Sequence, residues 1–310
     1  MGRPLSLIVN PAAGHGRARG LVLPATSALD AAGVEYRAVE SLSLAHARDL
    51  AAEAADRGEV VVAVGGDGLA GALAGVAAAG NASFGLIPAG RGNDLAGVLG
   101  IPSDPAAAAQ VLSEGQVRRI DLISVRSPGH PEAVVAVSVY AGIPAVASEI
   151  ANSTRWPGGR AGDSLVYPAA ALRALARWKP ATFTVAVTDG GADEFDGYAV
   201  VVANSARFGA GMRVAPAAVI DDGLLDVVLM RTASKLSFIR ALAKIKDGSH
   251  VTLPQISVRR GAEVTVTVSR DMPAGADGEP LPCAAPLGAG CALRIRALPG
   301  ALSMLVPASE

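Results

Sequence analysis

The sequence predicts an α/β N-terminal domain with a parallel sheet, followed by a mainly antiparallel, β-rich C-terminal domain. Strand-like and helix-like segments alternate over the first 120 residues, which is typical of parallel sheets. Beyond Asp121 most segments are strand-like and are separated by turn clusters such as Asp189-Gly190-Gly191. The 310 residues, 51% of them hydrophobic, suffice for two packed cores. We therefore expect domains at 1–120 and 121–297, with 298–310 returning to the first.

The first domain repeats a strand, a loop and a helix. Strands are predicted over Leu5–Val9, Val34–Val39, Glu59–Val64 and Ser83–Ile87. Helices are predicted over about Leu21–Ala32, Ala45–Arg57, Leu69–Ala79 and Asn93–Leu99. The run Glu59–Val64 is almost entirely β-branched or apolar, so this strand is expected to be buried on both faces.

The second domain alternates apolar and polar positions. Strands are predicted over Ala133–Tyr140, Thr182–Val187, Tyr198–Ala203, Leu225–Met230 and Glu263–Val268. Helices are predicted over Pro168–Trp178 and Leu236–Lys246, each with two basic residues four positions apart. The last segment, Leu293–Val306, has two apolar runs around Pro299-Gly300 and is expected to form strands.

Charge and cysteine content exclude several classes of protein. Lys and Arg number 27 against 28 Asp and Glu, so no overall field favours nucleic acid or an anionic membrane. The two cysteines, Cys283 and Cys291, match neither a disulfide framework nor a zinc spacing, which favours a cytoplasmic protein. The uncharged stretch Gly68–Gly90 is rich in glycine and fits a buried α/β unit better than a membrane helix.

Glycine-rich loops follow three predicted strands. They are Asn10-Pro11-Ala12-Ala13-Gly14, Gly65-Gly66-Asp67-Gly68 and Pro88-Ala89-Gly90-Arg91-Gly92-Asn93-Asp94. Loops at the carboxyl ends of parallel strands can converge on one ligand, and backbone N–H groups at helix N-termini attract phosphate. Asp67 would repel a phosphate unless a cation such as Mg²⁺ compensates, although it could instead cap the following helix.

From the residues alone, the main alternative to a magnesium-dependent phosphate site is a site for a dinucleotide. Gly66-Asp67-Gly68-Leu69-Ala70-Gly71 matches G-x-G-x-x-G after a strand and before a helix. The acid expected at the end of the next strand is missing there, although Arg91 could hold an NADP phosphate. No Walker-type phosphate loop occurs in the sequence.

Five motifs stand in a fixed order: Asn10-Pro11 with Gly14, Gly65-Gly66-Asp67-Gly68, Pro88-x-Gly90-x-Gly92-Asn93-Asp94, Asp221-Asp222-Gly223-Leu224-Leu225-Asp226 and Asp277-Gly278-Glu279. In this order they resemble the catalytic domains of the diacylglycerol kinase and sphingosine kinase family, whose soluble bacterial members phosphorylate lipids. The resemblance covers nearly the whole chain, with Tyr167 ahead of a helix, Asn204 ahead of a loop, and the closing Pro299-Gly300 segment.

This resemblance implies an N-terminal domain like those of phosphofructokinase and NAD kinase, and a two-domain enzyme with ATP and Mg²⁺ in the cleft between its domains. Asp67 would lie near the phosphates and magnesium, and Glu279 would be the general base toward the lipid hydroxyl. Asp222 would bind a second, structural magnesium with main-chain oxygens of Val219 and Leu224. The residues lining the nucleotide would be Asn10, Pro11, Ala12, Ala13, Gly14, Ser41, Gly65, Gly66, Asp67, Gly68, Leu69, Ala70, Gly71, Arg91 and Asn93.

Alternative interpretations stay open at several of these positions. Asp277-Gly278 is also the sequence of a type I′ hairpin turn, and Asp221-Asp222-Gly223 that of a β-turn. The family usually has threonine where this chain has Leu69 and Arg91, so a retuned site or a weakly active lipid-binding homologue is an alternative. An NAD(P)-binding oxidoreductase and an NAD or sugar kinase on a similar fold are the others.

The expected substrate is a lipid such as diacylglycerol, reached at a membrane surface. Ser234–Lys246 combines apolar and basic positions and would suit a helix at the inner membrane face, although a surface helix with its bases in water is the commoner outcome. Arg173, Arg177 and Lys179 form a shorter basic patch. No nucleic acid partner is expected, and a homodimer is left open.

Overall fold

The computed structural model describes residues 3–14, 16–154, 159–179, 181–188, 190–209, 211–281 and 292–308, with only the backbone described for 159–165. The chain divides into two compact units, Met1–Leu122 with Pro299–Glu310, and Ile123–Leu298. The first unit is α/β and the second is mainly antiparallel, so the predicted fold class is confirmed. Cys283, Cys291 and Asp189, which were named in the sequence analysis, lie outside the described residues.

The first unit alternates strands and helices around one sheet. Its elements are β1 Leu5–Val9, α1 Arg17–Ala31, β2 Tyr36–Glu40, α2 Leu44–Asp56, β3 Val60–Gly65, α3 Asp67–Ala79, β4 Ser83–Pro88, α4 Asp94–Val98 and α5 Pro105–Glu114. The strand order is β2-β1-β3-β4, and every neighbouring pair is parallel. Strands β1 and β3 are buried along their whole length, as expected for strands covered on both faces.

Two long strands cross the boundary between the units. They are β5 Gln116–Arg126 and β15 Ala292–Val306. The final part of β15 lies parallel to β4, with Ser303 opposite Ser83, and so extends the sheet of the first unit. The first part of β15 pairs antiparallel with a strand of the second unit. The two runs predicted around Pro299-Gly300 are therefore one strand, in which Gly300 takes a positive φ of 54°.

The second unit is built on antiparallel strands with helices at one side. Its remaining elements are β6 Ala133–Val135, β7 Ser138–Gly142, α6 Ile143–Ser153, α7 Gly159–Arg177, β8 Ala181–Val187, β9 Gly191–Ala203, β10 Leu225–Arg231, α8 Lys235–Lys244, a 3-10 turn Ser249–Thr252, β11 Ile256–Gly261, β12 Glu263–Val268, β13 Ala274–Ala276 and β14 Glu279–Pro280. Strands β14-β13-β7-β9-β8-β12 follow one another, and β10 joins β9 to β11. One core cluster is formed almost entirely by strand residues, and a second by residues of α6, α7 and α8 packed on strands.

Several predicted boundaries are wrong, each for a local reason. Helix α1 begins at Arg17 instead of Leu21, because Gly20 is accommodated inside the helix. Helix α7 begins at Gly159 and contains Pro168, so Tyr167 lies within a helix and not ahead of one. The predicted strand Ala133–Tyr140 is interrupted between β6 and β7.

No helix in the described part of the chain is both long enough and apolar enough to span a lipid bilayer.

Candidate active site

The three glycine-rich loops of the first unit pack against one another backbone to backbone. A Cβ atom on Gly90 would lie 2.5 Å from Cα of Gly66, and one on Gly14 would lie 2.5 Å from the carbonyl oxygen of Ala89. Real Cβ atoms do not approach other atoms so closely. Only glycine permits this convergence, which the sequence predicted from the placement of the loops after parallel strands.

Backbone hydrogen bonds hold the strand ends from which these loops leave. The N–H of Asn10 donates to the carbonyl of Val64 at 3.0 Å, and the N–H of Ala89 donates to that of Gly65 at 2.8 Å. Ser41 donates to the carbonyl of Val9 from both its N–H, at 2.8 Å, and its hydroxyl, at 3.0 Å. Ser41 is buried, so its described role is to fasten the end of β2 to the end of β1.

Two asparagines shape the loops from within. The side-chain oxygen of Asn10 accepts from the N–H of Ala12 at 3.0 Å. Asn93 accepts from the N–H of Gly90 at 2.8 Å and donates to its carbonyl at 3.1 Å. Asn93 occupies the N-cap position of α4 with a φ of 51° and makes no side-chain capping bond. Its side chain instead closes the loop on Gly90.

Asp67 is the first residue of α3, and Gly66 is the N-cap, so Asp67 does not cap this helix in the way considered above. Its Oδ1 accepts from the N–H of Leu95 at 3.4 Å, in the first turn of α4. The first backbone bond of α3 runs from Ala70 N to Gly66 O, so the amides before Ala70 belong to the open first turn. A carboxylate therefore lies beside the positive end of a helix that can bind an anion.

The donor set around Asp67 suits a magnesium-bound phosphate. Mg²⁺ in such sites takes one or two carboxylates and completes its coordination with waters and phosphate oxygens. The carboxylate of Asp67 could bind the Mg²⁺, and the amides of the first turn could bind the phosphate. Among the described residues no group of three or more acidic, histidine or cysteine side chains could hold a metal ion by itself, so the phosphates would have to contribute ligands.

Leu69 and Arg91, the two residues at which this chain departs from the family pattern, differ in how far they are buried. Leu69 is 5% exposed, and a Cβ on Gly65 would lie 2.7 Å from its Cδ2 atom, so its side chain fills the space beside Gly65. Ala70 and Gly71 are buried on the same helix. Residues 69–71 can therefore meet a ligand only through their backbone, whereas Arg91 is half-buried within its loop.

The second unit presents Glu279 on a tight hairpin. Strands β13 and β14 pair antiparallel with Ala276 opposite Glu279, and Asp277 and Gly278 form the turn with φ of 48° and 87°. Positive φ at both central residues is what a type I′ turn requires, so the hairpin interpretation of Asp277-Gly278 is confirmed. The turn and a functional role for Glu279 are compatible, since the turn places Glu279 directly after it.

Asp277 anchors this turn. The side chain is 6% exposed and accepts hydrogen bonds from the N–H groups of Ala136 at 2.7 Å, Val137 at 2.9 Å and Ser138 at 3.0 Å. Ala136 and Val137 form the break between β6 and β7, and Ser138 begins β7, so the Asp277 side chain binds where the predicted strand is interrupted. Asn204 donates from Nδ2 to the carbonyl of Ala136 at 3.0 Å and so holds the same break.

Gly278 is fixed by side chains that the sequence did not reveal. Its N–H donates to the hydroxyl of Tyr140 at 3.1 Å, while its carbonyl accepts from Ser148 at 2.8 Å and Asn152 at 3.0 Å. Burial raises the pKa of Tyr140, so its phenol stays protonated. Ser148 and Asn152 lie four apart on α6, and this spacing could have identified them had the helix been predicted.

Glu279 combines access to solvent with a weakened acidity. The residue as a whole is exposed, but the protein around its carboxyl group raises its pKa by desolvation. A carboxylate with a raised pKa is a stronger proton acceptor. Desolvation therefore makes this carboxylate more basic than that of an ordinary glutamate.

Asp222 has a different environment from the one the resemblance implied. Its Oδ1 accepts from the N–H of Leu224 at 3.0 Å, and its Oδ2 binds the guanidinium of Arg260. Arg260 also lies 3.4 Å from Oδ2 of Asp226, whose pKa is raised chiefly by burial. Val219 is exposed. Both oxygens of Asp222 are engaged, so in this arrangement they do not fit a divalent cation unless Arg260 moves away.

Each of the two units matches the model of a known protein family over most of its length. The family model described as "Diacylglycerol kinase catalytic domain" matches residues 4–125, and "YegS C-terminal NAD kinase beta sandwich-like domain" matches residues 137–306. A diacylglycerol kinase of Mycobacterium tuberculosis is 31% identical over 98% of this chain and 95% of its own length. A protein of Stenotrophomonas maltophilia named "Probable lipid kinase YegS-like" is 30% identical over 83% of this chain and 82% of its own.

A solved structure of a diacylglycerol kinase from Bacillus anthracis has a TM-score of 0.71 and covers 98% of this chain and 97% of its own, at 18% identity, which supports the fold. The family model and the named relatives together place the chain in the class of lipid kinases. The chain belongs to the diacylglycerol kinase and YegS-like lipid kinase family, and it is a kinase. The resemblance inferred from the five motifs is confirmed.

Proposed function

We propose that this protein transfers the γ-phosphate of ATP to the hydroxyl group of a lipid such as diacylglycerol. The observation that carries the proposal is the convergence of three glycine loops at the open N-terminus of α3, since that geometry brings backbone amides close to phosphate. The named relatives are lipid kinases, so the oxidoreductase and the NAD- or sugar-kinase alternatives are not favoured.

Phosphoryl transfer depends mainly on positioning and charge neutralisation, so a site of this composition is sufficient. We assign the loops 10–14, 65–71 and 90–93 to the nucleotide, with Ser41 fastening the strand ends beneath them. Asp67 would hold Mg²⁺, which when bound neutralises charge on the phosphates. Asp222 is left out of this assignment because Arg260 occupies its carboxylate.

Glu279 would act on the acceptor. Its carboxylate takes the proton of the lipid hydroxyl as that oxygen forms a bond to the γ-phosphorus, while the bond to the β–γ bridging oxygen breaks and ADP leaves. The hydrogen bonds of Asp277 and Gly278 fix the backbone directly before Glu279, which supports this role. The raised pKa keeps the carboxylate basic enough to accept the proton.

The cellular setting follows from the substrate. A diacylglycerol is confined to a bilayer, so we propose a cytoplasmic enzyme that works at the inner membrane face, with no nucleic acid partner. A homodimer is compatible with this proposal and is not required by it.

An ADP-release assay tests the function directly. The protein is supplied with ATP and Mg²⁺ and with diacylglycerol, a sphingoid base, NAD or small sugars, and the product is identified by mass spectrometry. We expect phosphatidic acid from diacylglycerol in mixed micelles. Lipid binding without ADP release would contradict the proposal and indicate a non-catalytic homologue, and calorimetry that detects no ATP binding with or without Mg²⁺ would also reject it.

A further inference from the structure

A basic cavity lies in the second unit, and its lining includes none of the three side chains that bind Gly278. It has a volume of about 460 Å³ and is enclosed by α6, the C-terminal end of α7 and the segment before β13. Its apolar wall includes Val146, Ile150 and Trp178. This volume lies within the roughly 300–1,000 Å³ typical of small-molecule sites.

The charged side chains of the cavity all have the same sign. Arg173, Arg177, Lys179 and Arg270 line it, and the described lining contains no carboxylate. Arg173 and Arg177 are exposed and lie four apart on the same face of α7. Four cations brought to one cavity repel one another, so an anion that binds there lowers the energy of the whole group.

Arg270 is held in place before any ligand arrives. Its Nη2 donates to the carbonyl of Lys179 at 2.6 Å, and its guanidinium lies 5.0 Å from the centre of the Trp178 ring. Its Nε is buried and has no hydrogen-bond partner among the described residues. Fixed, stacked arginines are well suited to phosphate because their planar donors are already oriented.

Ser153 and Thr154, which carry hydroxyl groups, also line the cavity at the end of α6. Guanidinium groups and hydroxyls together are the usual protein ligands of phosphate, which accepts several hydrogen bonds at once. We propose that this cavity binds the phosphate group of an anionic ligand, either the headgroup of an anionic phospholipid or a soluble phosphate ester. The site is distinct from the glycine loops and does not depend on the proposed phosphotransfer.

Trp178 supplies a direct measurement of binding. The sequence has two tryptophans, so Trp156→Phe leaves Trp178 as the sole tryptophan fluorophore. This protein is titrated with dihexanoyl phosphatidylglycerol, with dihexanoyl phosphatidylcholine and with glycerol 3-phosphate, below the critical micelle concentration of each lipid. We expect saturable fluorescence changes with the anionic lipid and none with phosphatidylcholine, whose zwitterionic headgroup has no net charge and carries a bulky ammonium group that opposes the basic lining. A response to glycerol 3-phosphate as well would identify the phosphate ester alone as sufficient, and its absence would assign the site to the lipid headgroup.

Matched variants separate the cavity from general charge. Arg173→Gln with Arg177→Gln should weaken binding by about tenfold or more, through the loss of charge-assisted hydrogen bonds. Arg240→Gln with Lys244→Gln removes the same charge from α8, whose residues do not line the cavity, and should leave binding unchanged. Equal losses in the two double variants, or no fluorescence response to either anionic ligand, would overturn the proposal. Circular dichroism confirms that each variant is folded.

Discussion

The glycine-loop cluster of the first unit and the Asp277–Glu279 hairpin of the second are held in their conformations by different parts of the chain. The loop cluster is made mainly of backbone: Gly14 and Gly90 approach neighbouring main chains at distances that no Cβ atom allows, and a Cβ on Gly66 would meet Gly90 at 3.0 Å. The hairpin is made of side chains, because Asp277 gathers three amides and Gly278 is fixed by three more residues.

This difference predicts how each region fails. Adding atoms should damage the loop cluster, because it has no room for them. Removing or neutralising a polar group should damage the hairpin, because buried donors would lose their partner. Glu279 itself supports no other residue among the described hydrogen bonds, so its loss should affect chemistry and not folding.

The largest effect is expected from Gly90→Val. Its side chain would meet the backbone of Gly66, so the loops must separate, at a cost of about 3 kcal/mol in unfolding free energy and with loss of ATP binding. Denaturant unfolding and calorimetry measure both quantities. Gly20→Ala is the matched control, since a Cβ there meets nothing within 4 Å and favours the helix by about 1 kcal/mol. Normal ATP affinity in Gly90→Val would refute the close packing of the loops.

Asp277→Asn should have the next largest effect. The amide group has one acceptor oxygen in place of two, so at least one buried N–H of residues 136–138 loses its partner, at a cost of about 2 kcal/mol in unfolding free energy. Denaturant unfolding checks this value against Asp56→Asn, an exposed position at the end of α2 that should change stability by less than about 0.5 kcal/mol. Equal stability of the two variants would show that the carboxylate does not anchor the turn.

The pH dependence of turnover should report Glu279. Burial raises its pKa, and the general base must be deprotonated, so kcat/KM should fall as the pH is lowered through a midpoint above the ordinary glutamate value of about 4.3. The same shift makes its contribution to stability largest at low pH and smaller as the pH rises through the folded-state pKa. Steady-state rates across the acid range measure this limb, and a midpoint at or below the ordinary value would contradict the described environment.

The smallest change in stability is expected from Arg260→Gln in the presence of Mg²⁺. In the wild type its guanidinium engages Asp222 and Asp226, so Mg²⁺ should leave the Tm of the second unit unchanged in the absence of nucleotide. Arg260→Gln should allow Mg²⁺ to restore about 1 kcal/mol of stability by binding the carboxylates of Asp222, which is exposed, and Asp226, which is buried. Arg259→Gln is the control because Arg259 pairs with Asp193 instead. Thermal unfolding with Mg²⁺ or with EDTA distinguishes the variants, and a Mg²⁺ effect on the wild type would mean that the cation displaces Arg260.

The sequence predicted the loop cluster better than the hairpin's support. Glycines after apolar strands are a local signal, and the carboxyl edge of a parallel sheet brings such loops together without further information. Asp277 was visible only as part of a turn, because the amides that it binds lie about 140 residues earlier in the chain. Helix α6 was not predicted, so Ser148 and Asn152 were missed with it. Leu69 was expected to line the nucleotide, but its side chain is buried beside Gly65, four residues earlier in the chain.

Turnover of Glu279→Gln tests the central claim most directly. The substitution keeps the shape of the side chain and removes the proton acceptor, so the account predicts phosphatidic acid formation reduced by about 100-fold or more, with unchanged Tm and unchanged ATP affinity. The assay follows product by mass spectrometry with ATP, Mg²⁺ and diacylglycerol, beside the wild type. Turnover within a few-fold of the wild type would contradict the assignment of Glu279 as the base.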